Sequence, residues 1–318
     1  NPSFVLRAVK DVAFEDREVP KLRDEHEVRV RIAQTGICGS DISWQRGRIG
    51  DFVLKSPIVL GHESSGTVVE VGTAVKNLKQ GDRFYTVASD YCYRIPDSMN
   101  MEEAAMVEPT AVAVQIAKVG GLRANQTVLV FGCGPIGVLC QAVAKAYGAR
   151  KVIGVDVVKS RLDFAKSYSA DAVFLSPKPD QGVEPVEHSE KVAAMIKKEF
   201  DLGEGADVVL ECTGAEPCIQ AGVFAAKKGG TYVQAGMGKE NVLFPITTAC
   251  IRALNIRGSI RYTKGCYPDA VELVGSGKID VKRLITNRFK FEEAEQAFEL
   301  VKAGREDVLK VIIEGVQD

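Results

Sequence analysis

Histidine and tryptophan are the scarce residues of this chain, three and one in 318, so imidazole chemistry can come only from His26, His62 or His188. Cysteine occurs eight times, at 38, 92, 133, 140, 212, 218, 250 and 266, yet no two form a C-x-x-C pair. Scattered in this way they exclude a disulfide scaffold and read as reduced thiols, several of them (Cys140, Cys212, Cys250) small hydrophobes inside apolar stretches. No apolar run approaches the roughly 20 residues that cross a bilayer, and Asn1-Pro2-Ser3-Phe4 lacks the basic-then-apolar layout of a secretory leader. A soluble, cytoplasmic protein with no membrane partner is therefore expected. An excess of either charge is lacking too: 41 basic against 42 acidic side chains leave a net charge of -1, which gives no field to attract nucleic acid. A small neutral or weakly charged substrate suits that balance.

What the chain does have is length and apolar content, 318 residues at 46% hydrophobic, enough for two domains with their own cores. Its first part alternates apolar and polar residues between Gly and Pro punctuation, as in Val28-Arg29-Val30-Arg31-Ile32 and Thr67-Val68-Val69-Glu70-Val71, and reads as antiparallel strands. From about Ala111 the texture changes to short, wholly apolar runs separated by helix-length segments, the pattern of parallel strands buried on both faces. The runs are Thr127–Phe131, Lys151–Val155, Ala172–Leu175, Asp207–Cys212, Gly230–Ala235 and Ile256–Ile260, which together make a doubly wound sheet. Helices are expected over Ile136–Tyr147, Lys159–Ser167, Glu190–Phe200 and Cys218–Ala226; Pro135 opens the first and Gly148 closes it. Ser176–Ser189 reads as a polar surface insertion with His188 as a solvated loop residue. An amphipathic helix near Phe291–Ala303 and a strand at Val308–Ile313 follow. The expected division is 1–110, 111–256 as a nucleotide domain, and 257–318 as a return to the first domain. There is no internal repeat and no low-complexity segment.

The strongest local motif is Gly132-Cys133-Gly134-Pro135-Ile136-Gly137, between the apolar run Thr127–Phe131 and a helix. Gly132 permits the tight turn, Gly134 lets the backbone approach a pyrophosphate, and Gly137 lets helix and strand pack closely. Unpaired N–H groups and the helix dipole favour the anion there. Asp156 ends the next strand about twenty residues on, where a carboxylate accepts from the ribose hydroxyls of NAD and repels the extra phosphate of NADP. Arg161 nearby could hold that phosphate, so the preference for NAD stays open to test.

Two turns offer metal donors: Gly36-Ile37-Cys38-Gly39-Ser40-Asp41, and Gly61-His62-Glu63-Ser64-Ser65-Gly66 followed by Gly72 and Val75. Thiolate, imidazole and carboxylate are donors that zinc accepts, and three of them with one open position is the catalytic arrangement. Taken singly, Cys38 could be a buried thiol, His62 a hydrogen-bonded core histidine and Glu63 a solvated charge. The stretch from Gly61 to Val75 resembles the signature of the zinc-containing alcohol dehydrogenases, and within that family the chain is most similar to the polyol branch, particularly fungal xylitol dehydrogenases. The likeness is carried by 36–41, Gly47-Arg48-Ile49-Gly50-Asp51-Phe52, Glu108-Pro109, Glu211-Cys212-Thr213-Gly214-Ala215-Glu216 and Arg261-Tyr262, and spans nearly the whole chain.

The resemblance implies an α/β fold: a GroES-like, β-rich catalytic domain plus a Rossmann domain with a doubly wound parallel sheet. It implies zinc held by Cys38, His62 and Glu63, with Glu108 holding the water at the metal or approaching the ion. Ser40 would relay a proton, and Arg261 and Tyr262 would meet substrate hydroxyls. Against NAD it sets Gly132, Gly134, Ile136, Gly137, Asp156, Arg161, the turn Ala235-Gly236-Met237, and Ser259-Ile260. The implied activity is oxidation of a sugar alcohol to its ketose by a homotetramer. Two other readings stay open: a zinc dehydrogenase acting on threonine or simple alcohols, and a non-catalytic dinucleotide-binding protein on the same fold. The complete donor set argues against the second.

The chain departs from the family twice. Gly81-Asp82-Arg83 runs straight into Phe84-Tyr85-Thr86-Val87, which resembles the far side of a family segment that often holds four cysteines for a structural zinc. Either the segment is truly lost, which would remove part of the first domain's surface and expose its core, or it belongs to the protein without standing among these 318 residues, and the second reading is favoured. Ser40-Asp41-Ile42-Ser43-Trp44-Gln45 also lacks a histidine and a tyrosine usual in the polyol enzymes, so the proton exit and a substrate contact would be built differently.

Overall fold

The computed structural model describes residues 1–44, 47–49, 52–86, 92–179 and 182–316. Gln45, Gly50, Asp51 and Val87, which the sequence comparison invoked, lie outside the described residues. The chain forms two compact units, Asn1–Glu108 with Tyr267–Asp318, and Pro109–Cys266.

The first unit begins with β1 (Pro2–Ala8), β2 (Asp11–Asp16), β3 (Val28–Gly36), α1 (Gly39–Trp44), β4 (Arg48–Ile49), β5 (Phe52–Val53), β6 (Ile58–Val59), β7 (Glu63–Val71), β8 (Arg83–Thr86), β9 (Tyr93–Arg94) and α2 (Met101–Ala105). α3 (Val107–Val119) carries the chain into the second unit, where the central motif is β10 (Thr127–Phe131), α4 (Pro135–Ala146), β11 (Lys151–Asp156), α5 (Lys159–Tyr168) and β12 (Ala172–Leu175). Then come α6 (Pro185–Glu199), β13 (Ala206–Glu211), α7 (Glu216–Ala225), β14 (Ala226–Gln234), α8 (Ile246–Ile251) and β15 (Asn255–Gly258). The last stretch holds α9 (Cys266–Gly275), β16 (Ile285–Phe289), α10 (Ala294–Lys302) and β17 (Lys310–Glu314).

In the second unit six strands run parallel in the order β12-β11-β10-β13-β14-β15. All five side chains of β10 are buried, because helices cover a parallel sheet on both faces. α4 starts at Pro135, whose fixed φ suits a first helical position, and ends before Gly148 at φ +84°, a left-handed turn that glycine adopts without strain.

The division after Cys266 lies ten residues beyond the expected return at 257. β15 pairs with β14, Arg257 Nη1 donates to Val119 O at 2.9 Å and Thr263 Oγ1 to Gln115 Oε1 at 2.7 Å, all of which hold 255–263 to the second unit. His188 lies in α6, not in a loop. Pro185 occupies the first turn there, Ser189 Oγ donates to Pro185 O, and Ser189, Val192, Ala193 and Ile196 form the buried stripe.

The main sheet of the first unit has the order β16-β17-β3-β7-β8-β9. β8 is the junction at which Arg83 meets Phe84-Tyr85-Thr86, and it forms a continuous antiparallel partner of β7 and β9. Phe84 is fully buried beside Val68, Leu78 and Cys92, so the residue after the junction fills the core that loss of the segment was expected to expose. Burial of such a ring contributes about 1.5–3 kcal/mol.

Candidate active site

Pairing of β3 with β7 brings the metal candidates together. Gly36 stands opposite Glu63, so Cys38, two residues past β3, meets His62, one residue before β7. One donor atom from each of Cys38, His62 and Glu63 lies within 4.8 Å of the others. Gly36 is needed for this: a Cβ there would stand 2.2 Å from Glu63 Oε2 and displace the carboxylate. Sulfur, imidazole nitrogen and carboxylate oxygen at this spacing, with Glu63 buried and the other two half-buried, fit a zinc ion with an open position.

The residues behind these donors set their chemistry. Asp41, in the first turn of α1, accepts from Cys38 N at 3.0 Å, and its Oδ1 is 3.1 Å from His62 Nδ1. With Nδ1 held, Nε2 is the ring nitrogen left for an ion, and Ser40 Oγ lies 3.4 Å from it. Burial opposes charge on His62, but the Asp41 hydrogen bond and the Cys38 sulfur outweigh it and push the imidazole up to about 12. A proton thus stands where a cation fits, and an ion that binds must release it.

Glu63 has a second partner from the far end of the chain. Lys310, the first residue of β17, is buried and donates to Glu63 Oε1 at 2.8 Å, to Oε2 at 2.7 Å and to Ile37 O at 3.1 Å. Burial pulls the ammonium down, and the charges of Glu63 and Cys38 more than restore it. Glu108, in the first turn of α3, is buried as well. Burial first and the charge of Glu63 second push its carboxyl up to about 8, so at neutral pH it is an acid that can donate. Asp41 and Lys310 were not singled out in the sequence: Asp41 had only its place three residues after Cys38 as a signal, and Lys310 had none.

The first unit also contains a cavity of about 780 Å³ whose wall includes His62. Phe4, Ile32, Leu60, Phe298 and Ile313 line it together with polar residues such as Arg29, Arg31, Thr35 and Ser64, while Cys38, Glu63 and Glu108 do not, so it meets the donor cluster only at His62.

The glycine-rich turn and its expected companions belong to the second unit. A Cβ on Gly137 would lie 1.9 Å from Gly132 O, which makes glycine obligatory for helix and turn to touch. Above Gly134 there is open space: its Cβ would meet nothing within 4 Å, and as N-cap of α4 it makes no side-chain hydrogen bond to the first turn. Free N–H groups at a helix start with room above them suit an anion. Asp156 closes β11 beside them, its Oδ2 accepting from Cys133 N at 2.7 Å and its Oδ1 from Val157 N at 2.8 Å and Val158 N at 2.9 Å. Arg161 Nε and Ser259 Oγ are buried polar atoms with no protein partner, as expected of groups awaiting a ligand. Ile136, Ala235 and Gly236 are half-buried, whereas Met237 and Ile260 are exposed. This open cradle and its orphaned donors fit a dinucleotide.

Arg261 and Tyr262 lie in the second unit, whereas Cys38, His62, Glu63 and Glu108 lie in the first. Arg261 holds a left-handed backbone at φ +48°, a conformation that costs a non-glycine residue free energy and clusters at ligand sites.

Comparison with known proteins gives a consistent picture. Residues 24–143 match the alcohol dehydrogenase GroES-like domain and residues 135–276 the zinc-binding dehydrogenase domain. The chain is 45% identical over 360 aligned positions to a probable D-xylulose reductase A of Aspergillus clavatus, covering 100% of this chain and 98% of that protein. It is 45% identical to the D-xylulose reductase A of Aspergillus oryzae, covering 99% and 97%. Zinc dependent alcohol dehydrogenase 2 from Streptococcus pneumonia superposes with a TM-score of 0.86 at 26% identity, over 100% of this chain and 99% of that one. An aligned length of 360 against 318 residues leaves at least 42 positions of the A. clavatus protein with no counterpart here.

Proposed function

This chain belongs to the zinc-binding alcohol dehydrogenase family, and from that premise we propose that it oxidises a sugar alcohol, xylitol or sorbitol, to its ketose with hydride transfer to NAD. The observation that carries the reading is the convergence of Cys38, His62 and Glu63 within 4.8 Å. The D-xylulose reductases at 45% identity support the substrate class.

Cys38, His62 and Glu63 hold the metal, with Asp41 fixing the imidazole so that Nε2 faces it. Bound in their sites, zinc supplies Lewis-acid polarisation of a substrate hydroxyl and NAD supplies the hydride acceptor. Ser40 Oγ, 3.4 Å from His62 Nε2, would relay the hydroxyl proton, accepting it while passing its own hydroxyl proton on to water. Glu108, protonated at neutral pH, donates a hydrogen bond to a substrate oxygen, and Lys310 Nζ holds both carboxylate oxygens of Glu63. Arg261 and Tyr262 bond further hydroxyls of the polyol, since a site built to pair hydroxyls rejects ligands without them. In the second unit Gly132, Gly134, Ile136 and Gly137 seat the pyrophosphate, and Asp156 takes the ribose hydroxyls with Arg161 alongside. Ala235, Gly236, Met237, Ser259 and Ile260 line the remainder.

The same proposal includes self-association as a homotetramer in the cytoplasm. β15 is an edge strand with every residue exposed, which supports self-association, and the eight cysteines are all free thiols, which supports a reducing compartment. No helix among the described residues is long and apolar enough to cross a membrane.

The test follows NADH formation with xylitol, sorbitol and arabinitol before and after chelation, with zinc measured by elemental analysis. Turnover of at least one polyol that disappears with the metal and returns when zinc is added is expected. Undiminished activity in verified metal-free protein would remove zinc from the reaction.

A further inference from the structure

Glu211 takes no part in the metal or substrate chemistry proposed above. It ends β13, is fully buried, and lies at the carboxyl edge of the parallel sheet, where doubly wound folds bind their ligands. Its Oε1 accepts from Thr213 N at 2.8 Å and from Thr213 Oγ1, and its Oε2 accepts from Gly214 N at 2.9 Å and Gln234 Nε2 at 2.7 Å. The main-chain oxygen of the same residue accepts from Ala235 N at 2.9 Å and Gly236 N at 2.8 Å. Gln234 is itself fixed, by the Tyr232 hydroxyl at 2.6 Å and by Gly236 O at 2.7 Å.

The two loops tied in this way touch backbone to backbone. A Cβ on Gly236 would stand 2.2 Å from Gly214 N, and one on Gly238 would stand 1.9 Å from Gly214 O. Thr213 in turn packs on the glycine-rich turn, since a Cβ on Gly132 would lie 2.8 Å from Thr213 Cγ2. Glu211 therefore joins loop 212–216 through its carboxylate, loop 235–238 through its main-chain oxygen and through Gln234, and, by way of Thr213, the turn at 132.

We propose that Glu211 is a positioning residue for the dinucleotide: it locks these loops in their binding form before the coenzyme arrives. The proposal rests on the reading that the second unit binds NAD. Four donors converge on two oxygens, and only an acceptor-only group satisfies them all; a glutamine amide would turn an NH₂ toward another donor. Because the loops are ordered on folding, that entropy is not charged against coenzyme affinity.

The test compares wild type, Glu211→Gln and Thr213→Val by NAD calorimetry, amide hydrogen exchange and zinc content. Glu211→Gln keeps the side-chain volume and leaves buried donors unpaired, so its dissociation constant and KM for NAD rise roughly ten- to a hundredfold. Its zinc content, its kcat and its polyol KM at saturating NAD stay unchanged. Thr213→Val shifts NAD binding in the same direction by less. In coenzyme-free wild type the amides of Thr213 and Gly214 are strongly protected.

A folded Glu211→Gln that binds NAD like wild type overturns the proposal alone, whereas a wild type that binds no NAD overturns the dinucleotide reading beneath it. Should Glu211→Gln fail to fold, Thr213→Val and the wild-type exchange decide. Unshifted NAD binding in the first, or open-loop exchange rates at Thr213 and Gly214 in the second, refutes the lock.

Discussion

Lys310 buries an ammonium group against the carboxylate of a candidate ligand, with both side chains at most 5% exposed. Such a pair adds little net stability compared with an apolar pair, but removing one partner strands the other charge, at about 3–5 kcal/mol. Lys310→Met keeps most of the stem and removes the charge. Metal-free Lys310→Met is expected to lose stability of that order in urea unfolding, and saturating zinc to restore part of it by supplying the missing positive charge. Equal stability of variant and wild type without metal would show that the pair is not formed in solution. Cys38, His62 and Glu63 were legible as residues because donor types and motif spacing survive in one dimension. Lys310 was not, since nothing local distinguishes it from the other basic side chains.

Elements differed in legibility for a physical reason. The parallel strands announced themselves as short apolar runs because both their faces are buried. α3 did not, since it is buried over most of its surface and so lacks the alternation of an amphipathic helix. α6 began earlier than its pattern because its first turn, Pro185-Val186-Glu187-His188-Ser189, is largely polar. The turn between β10 and α4 separates packing from binding: Gly137 is held by a contact with backbone and Gly134 by none. Gly137→Ala should therefore lower the thermal midpoint and weaken NAD together, while Gly134→Ala should keep the midpoint and weaken NAD alone, about tenfold or more. Calorimetric titration alongside a melting curve checks both. Normal NAD affinity in folded Gly134→Ala would contradict a pyrophosphate at that turn.

At the scale of the whole molecule the second unit presents an open sheet edge. Ile256 on β15 is 45% exposed, and Ile246, Ile251 and Ile260 nearby in sequence are more so. Unpaired edge strands recruit further strands unless a charge blocks them, so Ile256→Lys should shift sedimentation toward smaller species while leaving zinc content intact. An unaltered sedimentation coefficient would place any self-association elsewhere. β8 shows that the first unit's core closes across the junction at Arg83, with Phe84 buried.

Sequence alone determined the kinds of chemistry available: a glycine-rich turn after an apolar strand, an acidic residue at the next strand end, and sulfur, nitrogen and oxygen donors in two short motifs. These are local because backbone approach and donor type depend on a residue and its near neighbours. Only the tertiary structure decided which charges face those groups. Strand register sets Glu63 opposite Gly36, β17 carries Lys310 to it, and Glu211 collects donors from two loops. Hydrogen bonds and ion pairs between distant segments depend on separations in space, which a linear order of residues does not contain.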